Sequence, residues 1–169
     1  MKVTLYMTTT VNGFIAKENN DTSWSKETWL SFAQFVKKTG NIIIGRKTYE
    51  LMNADNEFRK IGNPFTVVVS KEIFIPPFNA VLAKSPKEAL KIIKEKNFPN
   101  ALVAGGAILS ASFMKENLVD EVIIDIEPYI FGRGIRLFSK SSFEKRLKLI
   151  KTKKLSKNTI QLKYSKSSK

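Results

Sequence analysis

The sequence predicts an α/β fold: a single domain with a mostly parallel central sheet, helices on both faces and an antiparallel C-terminal hairpin. Three observations predict it. Apolar β-branched strands alternate with helical stretches as far as Asp120, the rhythm of a parallel sheet. Three of those strands run straight into small or polar turns: Ile42-Ile43-Ile44 into Gly45-Arg46-Lys47-Thr48, Thr66 to Val69 into Ser70-Lys71, and Ala101 to Ala104 into Gly105-Gly106-Ala107. After Asp120 the hydrophobic period shortens to two, as Leu147, Leu149, Ile160, Leu162 and Tyr164 alternate with polar residues around Ser156-Lys157-Asn158.

Each element follows in order. Val3 to Thr10 reads as the first strand. Asn12-Gly13 turns the chain into Phe14-Ile15-Ala16, and a polar loop covers Lys17 to Ser23. A helix starts at Ser23 or Ser25. Trp29, Phe32, Ala33 and Val36 form its apolar stripe, Lys37-Lys38 suits its C-terminal end, and Gly40 stops it. The fully apolar Ile42 to Ile44 suits a buried parallel strand, and a short helix runs from Arg46 to about Asn53. Pro64 precedes the strand Phe65 to Val69, and Pro76-Pro77 breaks the chain before a short strand near Ala80-Val81-Leu82.

Ser85-Pro86-Lys87-Glu88 is a helix start with a capping Ser, a Pro at the first helical position and a Glu three residues on. Leu90 and Ile93 line the buried face of that helix. Strand Ala101 to Ala104 meets Gly105-Gly106, and a helix runs to about Glu116. Glu121 to Ile126 is a strand that ends before Pro128, and Phe131 to Ile135 is a glycine turn. The domain is expected to span residues 1–165, with a basic tail at 166–169.

Composition narrows the chemistry. The 169 residues contain neither Cys nor His. That removes disulfides, thiolate nucleophiles, Ser-His-Asp triads and Cys- or His-ligated metals, so no metal site is expected. Hydride transfer passes this filter, because a cofactor carries the difficult step. No apolar run approaches the roughly 20 residues of a membrane span, and the start resembles a strand more than a signal peptide. The expectation is a soluble cytoplasmic protein without a membrane partner. The net charge of +14 is uneven: Lys145 to Lys169 holds ten Lys/Arg and no acid, which leaves +4 for the rest. A solvated hairpin explains that excess better than a nucleic-acid surface, since Tyr164 is the lone aromatic among those lysines.

The glycine turns suggest phosphate. A strand that ends in Gly and then opens a helix leaves free backbone N–H groups at the strand's carboxyl edge. Arg46, Lys47 and Lys71 add fixed cations that favour an extra phosphate. Together they point to a phosphorylated dinucleotide such as NADPH, and so to a reductase. The P-loop spacing is absent, and Gly132-Arg133-Gly134 lacks the third glycine of a Rossmann fingerprint, Leu137 standing in its place. Two other classes stay open: a non-catalytic nucleotide-binding module, and a basic nucleic-acid-binding protein.

Thr8 to Ala16, Trp24, Ile44 to Glu50, Val69-Ser70-Lys71, Ala104 to Ala107, and Leu118 to Val122 with Pro128, Gly132, Gly134, Leu137 and Phe138 form an ordered set. In that order they resemble the dihydrofolate reductase superfamily, and more closely its branch related to the reductase domain of bifunctional riboflavin biosynthesis proteins. The resemblance implies NADPH. Gly45, Arg46, Lys47 and Thr48 would lie near the adenosine half, and Ser70 and Lys71 near its 2′-phosphate. Gly105, Gly106, Ala107, Ile108 and Leu109 would hold the pyrophosphate, with Thr8 and Ile15 at the nicotinamide carboxamide. It also implies a small heterocyclic substrate of pterin or ribosylaminopyrimidine type. Trp24 and Glu27 are the catalytic candidates, and Asn12, Gly13 and Trp29 the substrate contacts. A loop from Asn12 to Trp24 would close over the ring, and a homodimer would form through the late strands. Relatives of the dihydrofolate type place an acid on the helix after the Trp and a Thr on a late strand. Here Glu27 falls two residues early, and Glu121 to Glu127 contains neither Thr nor Ser.

Overall fold

In a computed structural model, which describes residues 1–22, 24–72, 74, 76 and 80–167, a sheet of eight strands runs through the molecule. In chain order the elements are β1 (Lys2–Thr10), β2 (Phe14–Ala16), α1 (Lys26–Thr39), β3 (Asn41–Gly45), α2 (Arg46–Ala54), α3 (Glu57–Lys60), β4 (Phe65–Val69), β5 (Ala80–Ala83), α4 (Pro86–Glu95), β6 (Asn100–Val103), α5 (Ala107–Lys115), β7 (Glu121–Glu127), β8 (Ile135–Arg136), β9 (Leu147–Lys154) and β10 (Ile160–Lys166). The main sheet has the order β5-β4-β3-β6-β1-β7-β10-β9, and β2 pairs with β8 in a separate ribbon. β5 to β7 in that order are parallel, and β10 and β9 close the sheet antiparallel. This is the mixed α/β architecture the sequence predicts.

Two apolar layers sandwich the sheet. Val3, Leu5, Ile43, Val67 and Val103 face α4 and α5, where Ala89, Ile93, Leu109 and Phe113 meet them. Tyr6, Ile42, Ile44, Leu102 and Ile123 face α1 and α2, where Ala33, Val36, Tyr49 and Met52 pack. Alternate residues of each central strand thus feed opposite layers, as the pleat requires. Ile42, Ile43 and Ile44 are all fully buried, which explains their unbroken apolar run.

The ends of α1 and the start of α4 follow the sequence signals. α1 begins after Ser25, whose side chain accepts from the Thr28 N–H, and stops at Gly40 in the left-handed region with φ 74°. The alternative start, Ser23, lies outside the described residues, as do Pro77, Ser168 and Lys169. Ser85 caps α4 by accepting from Glu88 N–H. The Glu88 carboxylate accepts from Lys84 N–H, one residue before the expected partner. The expected boundary of the basic tail shifts, because Lys166 belongs to β10 and its N–H donates to Asp120 O at 2.9 Å. α3 and β8 were not anticipated; at four and two residues they are too short to show a period.

Candidate functional site at the carboxyl edge of the sheet

The carboxyl ends of β4, β3, β6, β1 and β7 lie side by side along one edge, because these strands are neighbours and parallel. Ser70, Gly45, Gly105, Thr8–Thr10 and Glu127 follow one another along that edge. β3 feeds α2 on one face, while its neighbour β6 feeds α5 on the other. Chains that diverge in this way open a crevice between them, the place where open α/β sheets bind ligands.

The two glycine turns touch at that point. Gly45 N–H donates to Gly105 O at 2.9 Å, and Ala104 N–H donates to Ile43 O at 3.0 Å. A Cβ on Gly45 would stand 3.8 Å from Gly106 N. Gly105 has φ +94°, and a Cβ there would meet Met7 at 2.9 Å, so both its backbone and its neighbour demand glycine. Gly106 is different. The peptide joining it to Gly105 is cis, its φ is −77°, and a Cβ would meet only the Thr48 hydroxyl, at 3.2 Å. A side chain at 106 would thus press on a single hydroxyl, where one at 105 would press on Met7 in a left-handed backbone.

The helix starts carry the clearest contrast. α2 begins at Gly45 and α5 at Gly106, and neither has a side-chain cap or an acid in its first turn. α1 and α4 each have a capping serine and a first-turn glutamate, Glu27 and Glu88. First-turn N–H groups left without a side-chain acceptor, together with the positive helix end, favour an anion.

Around these turns the other predicted residues take their places. Thr48 is half-buried in the first turn of α2, Lys47 and Lys71 are exposed, and Ile108 projects from the start of α5 with 76% of its surface free. The Arg46 guanidinium pairs with Glu72 and, at 3.5 Å, with Glu50. Ser70 Oγ accepts from Glu72 N–H at 3.1 Å and donates to Glu72 O at 3.0 Å, which shapes the turn after β4. Thr8 is half-buried near the end of β1, Ile15 is buried in β2, and Ala107 and Leu109 lie in the first turn of α5. Two anionic side chains thus already share the Arg46 cation.

At the far end of the row the predicted substrate contacts spread out. Trp24 stacks on Phe131, with ring centroids 6.3 Å apart. Asn12 Oδ1 accepts from Thr10 Oγ and from Phe131 N–H, while its Nδ2 donates to Phe131 O, so its amide ties the first turn to the glycine loop. Gly13 O accepts from Leu137 N–H at 3.0 Å. Trp29 is half-buried against Phe32 in the α1 layer, and Glu27 is exposed.

One acid that sequence reasoning did not single out stands at this end. Glu127, the last residue of β7, is only 2% exposed. Its Oε1 accepts from Ser25 N–H at 2.9 Å, Ser25 Oγ at 2.5 Å and Thr28 Oγ1 at 2.7 Å. The acid was expected on the helix; the helix supplies the hydroxyls instead, and the strand supplies the acid. A signal for it existed: Glu121, Ile123, Asp125 and Glu127 alternate along β7 and share a face with the buried Ile123.

Two residues back, Asp125 is fully buried; Tyr6 OH donates to it at 2.8 Å and Gln161 Nε2 at 2.8 Å, and Ser31 Oγ joins the same group. Burial pushes the Asp125 carboxyl up to about 6, aided by the charge of Glu127 and opposed by the two hydrogen bonds and Lys153. Burial likewise raises the Tyr6 phenol, with Asp125 adding to the effect.

Among the described residues no group of three or more acids could hold a metal ion, and no helix is long and apolar enough to cross a membrane. Comparison with known proteins places this architecture. The model of the RibD C-terminal domain matches residues 1–161. The chain belongs to the RibD C-terminal domain family. It is thereby a member of the dihydrofolate reductase-like superfamily. A curated relative from Bacillus subtilis, the uncharacterized protein YwjB, is 28% identical and aligns over 96% of this chain and 97% of its own length. Among solved structures, a pyrimidine reductase-like protein from Corynebacterium diphtheriae superposes with a TM-score of 0.81 at 15% identity, covering 99% of this chain and 92% of that one. The Thermotoga maritima diaminohydroxyphosphoribosylaminopyrimidine deaminase/5-amino-6-(5-phosphoribosylamino)uracil reductase superposes at 0.75 and 18% identity; the match covers 98% of this chain and 56% of that one. These structures share the RibD C-terminal fold.

Proposed function

We propose that this RibD C-terminal domain is an NADPH-dependent reductase of a small heterocycle, of ribosylaminopyrimidine or pterin type. The observation that carries this reading is the pair of uncapped glycine helix starts, at Gly45 and Gly106, in contact across the point where the chain diverges to opposite faces. The backbone there fits a pyrophosphate: Gly106 leaves open the space that a Cβ would fill, beside the Thr48 hydroxyl.

In this reading the amides of Gly106, Ala107, Ile108 and Leu109 hold the pyrophosphate. Gly45 to Thr48 meet the adenosine half, and Ser70, Lys71 and Arg46 face the 2′-phosphate. The backbone of Thr8 and Ile15 orients the carboxamide. The coenzyme supplies a hydride, and the acceptor is a C=N or C=O carbon. The chain contributes orientation and the exclusion of water. The loop from Asn12 to Trp24 is the closing element, with Trp24 and Glu27 at its rim, and the proton comes from water at the open end. A cytoplasmic homodimer joined through the late strands accords with half-exposed Leu149 and Ile150 on β9.

Following nicotinamide absorbance while ribosylaminopyrimidines and dihydropterins are offered in turn tests the proposal. Turnover of one of them with NADPH, and its loss in Gly106→Val, is the expected result. NADPH binding without turnover of either class would leave a nucleotide-binding module; no NADPH binding at all would overturn the reading.

A further inference from the structure

We propose that Glu72 sets the coenzyme preference of this site: its carboxylate competes with the 2′-phosphate of NADPH for the Arg46 guanidinium, and so limits the advantage of NADPH over NADH. This rests on the reductase reading and adds to it a residue that works against the phosphorylated coenzyme.

The turn after β4 places Glu72 through its backbone. Ser70 N–H donates to Ala83 O at 2.9 Å, which anchors the turn to β5. Ser70 Oγ accepts from Glu72 N–H at 3.1 Å and donates to Glu72 O at 3.0 Å. β4 and β3 are parallel neighbours in the register Gly45↔Val69, so this turn leaves the sheet beside the start of α2. Glu72 thereby reaches Arg46, the first residue of α2, from 26 positions away in the chain.

At Arg46 both acids crowd the donors. Glu72 Oε2 accepts from Nη1, and Glu50, one helical turn on, lies 3.5 Å from Nε. A guanidinium offers a phosphate two forks, Nε with Nη2 and Nη1 with Nη2. Each fork of Arg46 therefore has a carboxylate beside one of its donors. A phosphate gripping either fork must displace an acid or share the cation with two negative charges. Glu50 is part of helix α2, whereas the Glu72 side chain is 71% exposed. Glu72 can thus turn into water with little change in its solvation, and it is the acid that gives way.

α2 has no acid in its own first turn. Glu72 supplies the anion that this helix start lacks, where the Arg46 charge and the helix end both favour one. It meets the same cation, at the same helix end, as the 2′-phosphate would. NADH carries a neutral 2′-hydroxyl there and leaves the Arg46–Glu72 pair intact. An exposed ion pair is weak, so the competition changes affinity several-fold rather than by orders of magnitude.

The opposite role for Glu72 is a brace that aims Arg46 at the phosphate. The two roles differ in sign: removing a brace weakens NADPH, and removing a competitor strengthens it. Glu72→Gln keeps the shape of the side chain and removes its charge. NADPH and NADH are titrated by calorimetry, at low salt, into the wild type, Glu72→Gln, Arg46→Ala and the double variant.

We expect Glu72→Gln to bind NADPH about fivefold tighter than the wild type, the worth of an exposed ion pair, and NADH within about twofold. In the Arg46→Ala background the same substitution should gain much less, because the contested cation is gone. Raising the salt should shrink the gain in the single variant. Unchanged or weaker NADPH binding by Glu72→Gln overturns the proposal while the wild-type titration still supports the reductase reading. An equal gain for NADH, or a gain undiminished without Arg46, overturns it too. Failure of all four proteins to bind NADPH removes the reductase reading and the proposal with it.

Discussion

The four longer helices of this molecule start in two different ways. α1 and α4 are closed by their own side chains, a serine cap and a first-turn glutamate each. α2 and α5 start on glycine with neither. All four face the same rule that the first turn leaves N–H groups without partners. α4 solves it locally, and α1 adds the Glu127 carboxylate from a distant strand. α2 and α5, the pair that meets at the divergence of β3 and β6, leave it unsolved on the protein side. The lesson is that an unfinished helix end is informative when its neighbours of the same fold are finished.

That contrast can be broken at several points. The largest effect is expected from Gly106→Val. Its φ of −77° suits a residue with a side chain and a Cβ would meet only the Thr48 hydroxyl, so the fold is expected to survive, as circular dichroism would verify. The new side chain would fill the approach to the α5 amides and lower NADPH affinity about 100-fold, the worth of two charge-assisted hydrogen bonds. Unchanged affinity would mean that the uncapped end of α5 is not used.

On the closed side, burial rather than a ligand sets the chemistry. The folded chain holds a proton on Asp125 that the unfolded chain releases. Stability should therefore fall as pH rises from 3.8 to about 6 and stay reduced above that. The gap is worth on the order of 3 kcal/mol. Asp125→Asn should remove this contribution, so unfolding by urea at about pH 4 and about pH 7 should differ less than in the wild type. An unaltered pH profile would assign the wrong group.

Lys71→Ala and Arg46→Ala should each weaken NADPH about tenfold while barely changing NADH, because a phosphate ion pair is lost. Arg46 is already shared with Glu50 and Glu72, so its effect should be the smaller of the two. Equal losses for both coenzymes would contradict the assigned roles. The smallest effect belongs to the control: Ser85→Ala should cost about 1 kcal/mol of stability and leave NADPH affinity untouched.

Much of this was legible in the sequence because it is written locally. A β-branched run, a Gly exit and a Ser-Pro-x-Glu start each declare themselves within a few residues. β3, β4, α4 and the Gly40 stop accordingly appear where the pattern puts them. The adjacency of Gly45 and Gly105 was inferable only through the rule that such turns share a sheet edge. The pair Thr28 and Glu127 was not visible, because its residues are 99 positions apart and joined by tertiary hydrogen bonds. Glu27 is the acid that lies next to the Trp24 motif in sequence. The helix instead turns Thr28 inward and Glu27 to solvent. Asn12 likewise reads as a turn residue in sequence, and its ties to Phe131 depend on a loop 119 positions away.

Amide hydrogen exchange, with and without saturating NADPH, measures the central claim most directly. We expect the first-turn amides of α2 and α5, Arg46 to Thr48 and Ala107 to Leu109, to slow markedly, while those of α1 and α4 change little. Protection that appears at α1 and α4 instead, or no change at the two glycine starts despite bound NADPH, would contradict it.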